Sequence, residues 1–197
     1  MNIVELETSH PSAARMRRGA RGAALSRAVL AALAAATFGA SASTASAATI
    51  ARSVEVSGTP AAVWALIGPF CAIKDWLPPV GTCTEDCRVP PTRTLVTKDG
   101  SATFIERQTA RNDSQAFYRY EFVASPLPVS RYSSTIRVTA NGKGGSTVTL
   151  RGSYTPDVGK AADAKQALSG IYAAGLDSIR SQVAKQLAAA AVSGIGR

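Results

Sequence analysis

Histidine is almost absent from this chain: of 197 residues one is histidine, His10, close to the N-terminus. Beyond it no residue can complete a Ser-His-Asp or Cys-His nucleophilic system, an H-E-x-x-H zinc site, or a histidine general base, the commonest kind. Acid-base chemistry in the rest of the chain is left to Glu, Asp, Lys or Tyr. Cysteine is scarce as well, with Cys71, Cys83 and Cys87 alone. Three soft ligands with no histidine to complete a tetrahedron argue against a structural metal site, and no cofactor is expected. The cysteines allow three pairings, none of which the residues by themselves select.

A long hydrophobic run is missing too. The most apolar stretch, Ala28 to Phe38, has 11 residues, where a bilayer span needs around 20. It follows the basic Met16-Arg17-Arg18-Gly19-Ala20-Arg21 and precedes Ala45-Ser46-Ala47, an A-x-A cleavage signal. Residues 1–47 are therefore read as a cleaved secretory signal peptide, with no membrane anchor afterwards and an exported mature protein. A start at Met16 suits this pattern better than Met1, because the acidic Glu5 and Glu7 fit a signal poorly. Beyond residue 47 there are 17 basic and 11 acidic side chains. The arginines are scattered along the chain rather than clustered, which argues against a nucleic-acid footprint.

What is present begins with a helix. Leu168, Ile171, Tyr172, Leu176, Ile179, Val183 and Leu187 recur at three- and four-residue spacing within residues 160–191. That is the stripe of a helix with one buried face, roughly 45 Å long at about 1.5 Å per residue. Such a helix needs a broad apolar partner. Upstream, Gly58-Thr59-Pro60 starts a short helix after a first strand, and a second short helix, about Cys71 to Trp76, stops at Pro78-Pro79. Alternating segments separated by turn residues then follow from Val80 to Tyr154, predicting with the first strand an antiparallel sheet of about seven members.

Period two sorts these segments into faces. Phe104 with Glu106, Tyr118 with Tyr120 and Phe122, Tyr132 with Ser134 and Ile136, and Leu150 with Gly152 and Tyr154 each share a side. Arg107, Arg119, Glu121, Arg131, Arg137, Thr149 and Arg151 take the other, in water. The inner surface is thus aromatic and partly hydroxylated. The small residues Ala167, Gly175 and Ala184 on the long helix are expected to leave space between helix and sheet.

On Val54 to Trp76, Thr92-Arg93-Thr94-Leu95, Ile105-Glu106-Arg107, Tyr118-Arg119-Tyr120, Ser125-Pro126-Leu127-Pro128-Val129 with Tyr132, and Gly170-Ile171-Tyr172 to Leu176, the chain resembles the START/Bet v 1-like helix-grip (SRPBCC) superfamily, in its polyketide cyclase/dehydrase and lipid-transport-like branch. The resemblance implies an α+β helix-grip fold: a seven-stranded antiparallel sheet curved around a long C-terminal helix, two short helices after the first strand, and one ligand-binding domain over 48–197. Plant abscisic-acid receptors are similar in layout, with ligand contacts on loops that correspond here to Thr97 to Ser101 and Ser125 to Pro128, yet neither hormone-receptor signature is present. Leu77 stands where many relatives carry histidine, and Gly175 where the receptors carry asparagine. Both departures point to plainer apolar binding.

The reading that follows is an exported binder or carrier of a small hydrophobic or lipid-like ligand. Leu95, Thr97, Phe104, Tyr120, Phe122, Leu127, Tyr132, Tyr154, Ile171 and Gly175 would surround it, and Glu106, Tyr118 and Ser134 would orient its polar end. The alternatives are a cyclase, dehydratase or hydrolase with Glu106 as acid/base assisted by Tyr118 or Tyr132, and a structural module with no pocket. Glu106 otherwise pairs with a neighbouring cation, with Lys98 as the candidate. Relatives often carry cysteines at the positions of Cys71 and Cys83, so the resemblance implies a Cys71–Cys83 disulfide with Cys87 free, against a competing local Cys83–Cys87 bridge.

Overall fold

The structure, a computed structural model, describes residues 46–195, so the leader expected over 1–47 lies almost wholly outside the described residues. Strand β1 (Ala48–Val56) is followed by helix α1 (Pro60–Ile67), a 3-10 turn (Phe70–Ala72) and the single turn α2 (Ile73–Trp76). Six strands come next: β2 (Val80–Glu85), β3 (Thr92–Thr97), β4 (Thr103–Asn112), β5 (Phe117–Ala124), β6 (Val129–Ala140) and β7 (Ser146–Pro156). Helix α3 (Ala161–Ile195) closes the chain.

All neighbouring strands are antiparallel, in the order β1-β7-β6-β5-β4-β3-β2. Short turns make β2 to β7 a meander, and β1 joins its far edge beside β7. Four departures from regular pairing bend the sheet: between Val80 and Thr82 in β2, between Ile105 and Glu106 and between Gln108 and Ala110 in β4, and between Ser130 and Ser133 in β6, where Arg131 takes φ 51°.

The short helices start and stop for local reasons. The Thr59 side chain accepts the Ala62 amide at 3.3 Å and Pro60 occupies the first turn of α1. Trp64, buried on α1, donates its indole N–H to Asp113 at 2.9 Å, fastening α1 to the β4–β5 turn. Cys71 in the 3-10 turn is bonded to Cys83 in β2, with Cα atoms 5.5 Å apart, and Cys87 is free and exposed.

Helix α3 lies over the inner face of the sheet and buries Leu168, Tyr172, Leu176, Ile179 and Val183, with Ile171 half-buried. Leu187, expected on the buried stripe, is 42% exposed. The contact between helix and fold ends at Val183, and residues 184–193 stand in solvent. Ala184 is among them, so it opens no space in the interior. Gly175 is buried, but a Cβ there would come 3.0 Å from the Trp76 ring and 3.3 Å from Leu77. The missing side chain therefore admits α2 against α3 rather than leaving a void. No helix among the described residues is long and apolar enough to cross a membrane.

Candidate functional site

Strand alternation aims the site. On β3, Arg93, Leu95 and Thr97 share the inner face, and the register sets Arg93 opposite Glu106 and Leu95 opposite Phe104. Phe122 lies opposite Glu106 and Tyr120 opposite Gln108 on the next pairing, and Ser134 lies between Tyr120 and Gly152. Between these side chains, α3 and the α2–β2 segment lies a cavity of about 120 Å³. Leu95, Thr97, Ala102, Phe104, Glu106, Tyr120, Phe122, Tyr132 and Leu150 line it from the sheet and the β3–β4 turn. Leu168, Ile171 and Tyr172 line it from α3, and Ile73, Trp76, Leu77, Pro79 and Val80 close it from α2 and the chain after it.

Of the thirteen expected ligand-binding residues, the cavity brings together Leu95, Thr97, Phe104, Glu106, Tyr120, Phe122, Tyr132 and Ile171. The other five are placed elsewhere. Gly175 packs on Trp76 as above. Tyr118 is fully buried behind the wall, edge-on to Phe70 with ring centroids 5.5 Å apart. Ser134 sits beneath the tyrosines as a hydrogen-bond partner, Tyr154 is core on β7, and Leu127 packs half-buried in the β5–β6 loop.

Glu106 is paired with Arg93, not with Lys98. Its Oε2 accepts from Arg93 Nε at 2.7 Å and faces Nη2 at 2.5 Å. Arg93 also donates through Nη1 to the Phe70 carbonyl, and its guanidinium carbon lies 4.0 Å from the centre of the Phe70 ring. It is wholly buried, and Glu106 is 4% exposed. Burial is the largest influence and would by itself lower the arginine's pKa, but the opposite charge of Glu106 together with the neighbouring Tyr118 and Tyr120 outweighs it and raises the pKa. Burial pushes the Glu106 carboxyl above its ordinary range, with Arg93 opposing the push. An arginine does not give up its proton in a protein, so Glu106 faces a permanent cation that favours its carboxylate form.

The expectation passed over Arg93, counting it with the scattered surface arginines. The signal was there: Arg93 is two residues from Leu95 on a strand, hence on the same inward face. The sequence places Trp76 and Tyr172 on helices and Leu77 just past one, but their place on the cavity wall depends on how α2 folds back over the sheet.

The hydroxyls of the interior form a chain. Tyr120 and Tyr132 stand 3.5 Å apart, Tyr132 and Tyr172 2.9 Å, Tyr172 donates to Ser134 at 2.7 Å, and Ser134 donates to the Arg151 carbonyl at 3.3 Å. Burial raises the pKa of Tyr120 and Tyr132 well above that of free tyrosine, and that of Tyr172 likewise upward, so all three remain phenols. Gly152 makes room for the chain, since a Cβ there would overlap the Tyr172 hydroxyl. Phe122 stacks on Tyr132 with centroids 3.9 Å apart, holding the ring at the wall. Trp76 Nε1, Gln108 Nε2 and the Tyr118 hydroxyl are buried with no hydrogen-bond partner among the described residues, and Arg93 Nη2 has only its ion-pair contact with Glu106. The described residues contain no cluster of His, Cys, Asp and Glu fit to hold a metal.

The same fold recurs in solved structures. A protein called XoxI from Bacillus cereus is 34% identical, with a TM-score of 0.65 over 69% of this chain and 95% of that one. The ZhuI aromatase/cyclase from Streptomyces sp. R1128 is 14% identical, with a TM-score of 0.60 over 72% and 96%. A norcoclaurine synthase point mutant from Thalictrum flavum, solved with a transition-state analogue, is 17% identical, with a TM-score of 0.57 over 73% and 98%. The last two likenesses are of fold. No curated protein matches. Residues 47–184 match the family model described as polyketide cyclase / dehydrase and lipid transport, and with the fold and cavity in place the chain belongs to that family, within the START/Bet v 1-like helix-grip superfamily.

Proposed function

We propose that the protein is an exported binder or carrier of a compact hydrophobic or amphipathic molecule, held between α3 and the sheet. The observation that carries this reading is the cavity itself, about 120 Å³ behind walls that are almost entirely aliphatic and aromatic, with Glu106 as its one charged member. Sites for drug-sized ligands usually measure roughly 300–1,000 Å³, whereas a cavity of about 150 Å³ holds benzene. The cavity therefore suits a single ring or a short branched chain, and a longer molecule requires α2 or the β3–β4 turn to yield. Export is supported by the Cys71–Cys83 bond, a feature of oxidising compartments, together with the leader-like composition of residues 1–47.

Two features weigh against an enzyme built on Glu106. A carboxylate clamped by a guanidinium is a poor proton shuttle, because moving its proton must also break a buried ion pair. Tyr118, one of the two proposed assistants, lies outside the cavity wall. The test is native mass spectrometry of the purified protein after exposure to a lipid extract and to single-ring aromatic compounds. Stoichiometric uptake is expected, and a chain that stays empty with both would overturn the reading.

A further inference from the structure

We infer that the cavity selects a neutral hydroxyl-bearing ring, a phenol or small alcohol, over an equally sized hydrocarbon and over a carboxylate. This rests on the cavity being the binding site and adds the polarity of its ligand.

The argument is a count of protons. Ser134 spends its hydroxyl proton on the Arg151 carbonyl, so its oxygen is free to accept the proton of Tyr172. Tyr172 then has none left, and the bond between Tyr132 and Tyr172 is donated by Tyr132. By the same step the contact between Tyr120 and Tyr132 is donated by Tyr120. Every phenolic proton in the chain is thus directed away from the cavity toward the β7 backbone. What these tyrosines keep for a ligand is lone pairs.

Glu106 adds to the same sign. Arg93 occupies Oε2 through two nitrogens, and Oε1 has no hydrogen bond from any described residue. The close contact with the fixed charge of Arg93 favours the carboxylate form, which has no proton of its own to donate. The wall therefore offers acceptors from Glu106, Tyr120 and Tyr132, among side chains that are otherwise almost entirely apolar. An acceptor left bare in an apolar site is costly, and a ligand that donates to it removes that cost. The one unsatisfied donor among the wall residues is the Trp76 indole N–H. A hydroxyl both donates and accepts, so it answers either sign. A carboxylate can only accept, and it would bring a second negative charge to Glu106. An ammonium would meet Glu106 already neutralised, with the Arg93 cation behind it.

The experiment is a ligand-observed NMR titration of the purified protein with phenol, toluene and benzoate. Phenol and toluene are nearly isosteric, and toluene is the more hydrophobic, so a purely apolar cavity prefers toluene. Phenol is expected to bind roughly tenfold more tightly than toluene, the value of one hydrogen bond to a charged acceptor, and benzoate not to compete with it. Ile171→Trp, which fills the cavity from α3, is expected to abolish phenol binding while circular dichroism stays unchanged. Toluene binding as tightly as phenol, or benzoate displacing it, would overturn this inference and leave the binder reading standing. Failure of both rings to bind would overturn this inference, and the binder reading falls with it only where the lipid extract also leaves the protein empty. Phenol binding retained in folded Ile171→Trp would place the ring elsewhere and end the inference. Where that variant does not fold, the comparison of phenol with toluene in the unaltered protein decides.

Discussion

Arg93 shows how much one residue carries here. It joins β3 to β4 through Glu106, joins the sheet to the 3-10 turn through the Phe70 carbonyl, and packs its guanidinium on the Phe70 ring. A buried ion pair contributes little net stability against an apolar pair of the same shape, but losing one partner strands the other. Arg93→Met is therefore expected to cost about 3–5 kcal/mol, measured by urea unfolding, because Glu106 is left charged and 4% exposed. The double change Arg93→Met with Glu106→Leu should recover most of that loss. A single variant no less stable than the double would show that Glu106 is relieved some other way. Arg93 was legible in part, since period two from Leu95 points it inward. Its pairing was not, because a cross-strand partner depends on a register that no local pattern specifies.

At the scale of elements, the short segment from Phe70 to Val80 decides whether the cavity has a roof. Its α2 turn is four residues long, too short to be stable alone, and it is held by neighbours. Trp76 docks against Gly175 on α3, Gln182 donates to the Asp75 carbonyl at 2.7 Å, and the Cys71–Cys83 bond ties the preceding turn to β2. Cys83 in turn lies opposite Leu95 of the cavity wall. Replacing both Cys71 and Cys83 with Ser is expected to lower stability by about 3 kcal/mol, from the chain entropy of a loop of this order, and to weaken ligand retention. Non-reducing peptide mapping should recover a Cys71–Cys83 linked pair with Cys87 alkylated. A mapped Cys83–Cys87 link would remove the anchor from this account. Relatives with cysteines at the same two places made the bond legible before the fold was known, whereas spacing by itself left three pairings open.

In the whole molecule, the sheet holds α3 over only part of its length. The helix has 35 residues, about 52 Å at 1.5 Å per residue, yet its last buried side chain is Val183. Ending the chain after Lys185 is thus expected to change thermal stability by less than about 1 kcal/mol. Ending it after Tyr172 removes Leu176, Ile179 and Val183 from the core, at about 2 kcal/mol each by apolar burial, and should leave an unfolded chain. Circular dichroism melts of the two truncations check both. A large loss from the shorter deletion would mean that residues 186–195 meet something in solution. The order of elements, the sheet's alternation, the burial of Leu168 to Val183 and the exposed arginine face were determined by the sequence, because periodicity is a local property written along the chain. Tertiary structure alone decided that Glu106 meets Arg93, that Tyr118, Ser134 and Tyr154 stand behind the wall, and that Gly175 is filled by Trp76. Each of those outcomes depends on which side chain from a distant element arrives first in a shared volume, a competition that close packing resolves only when all the elements are present.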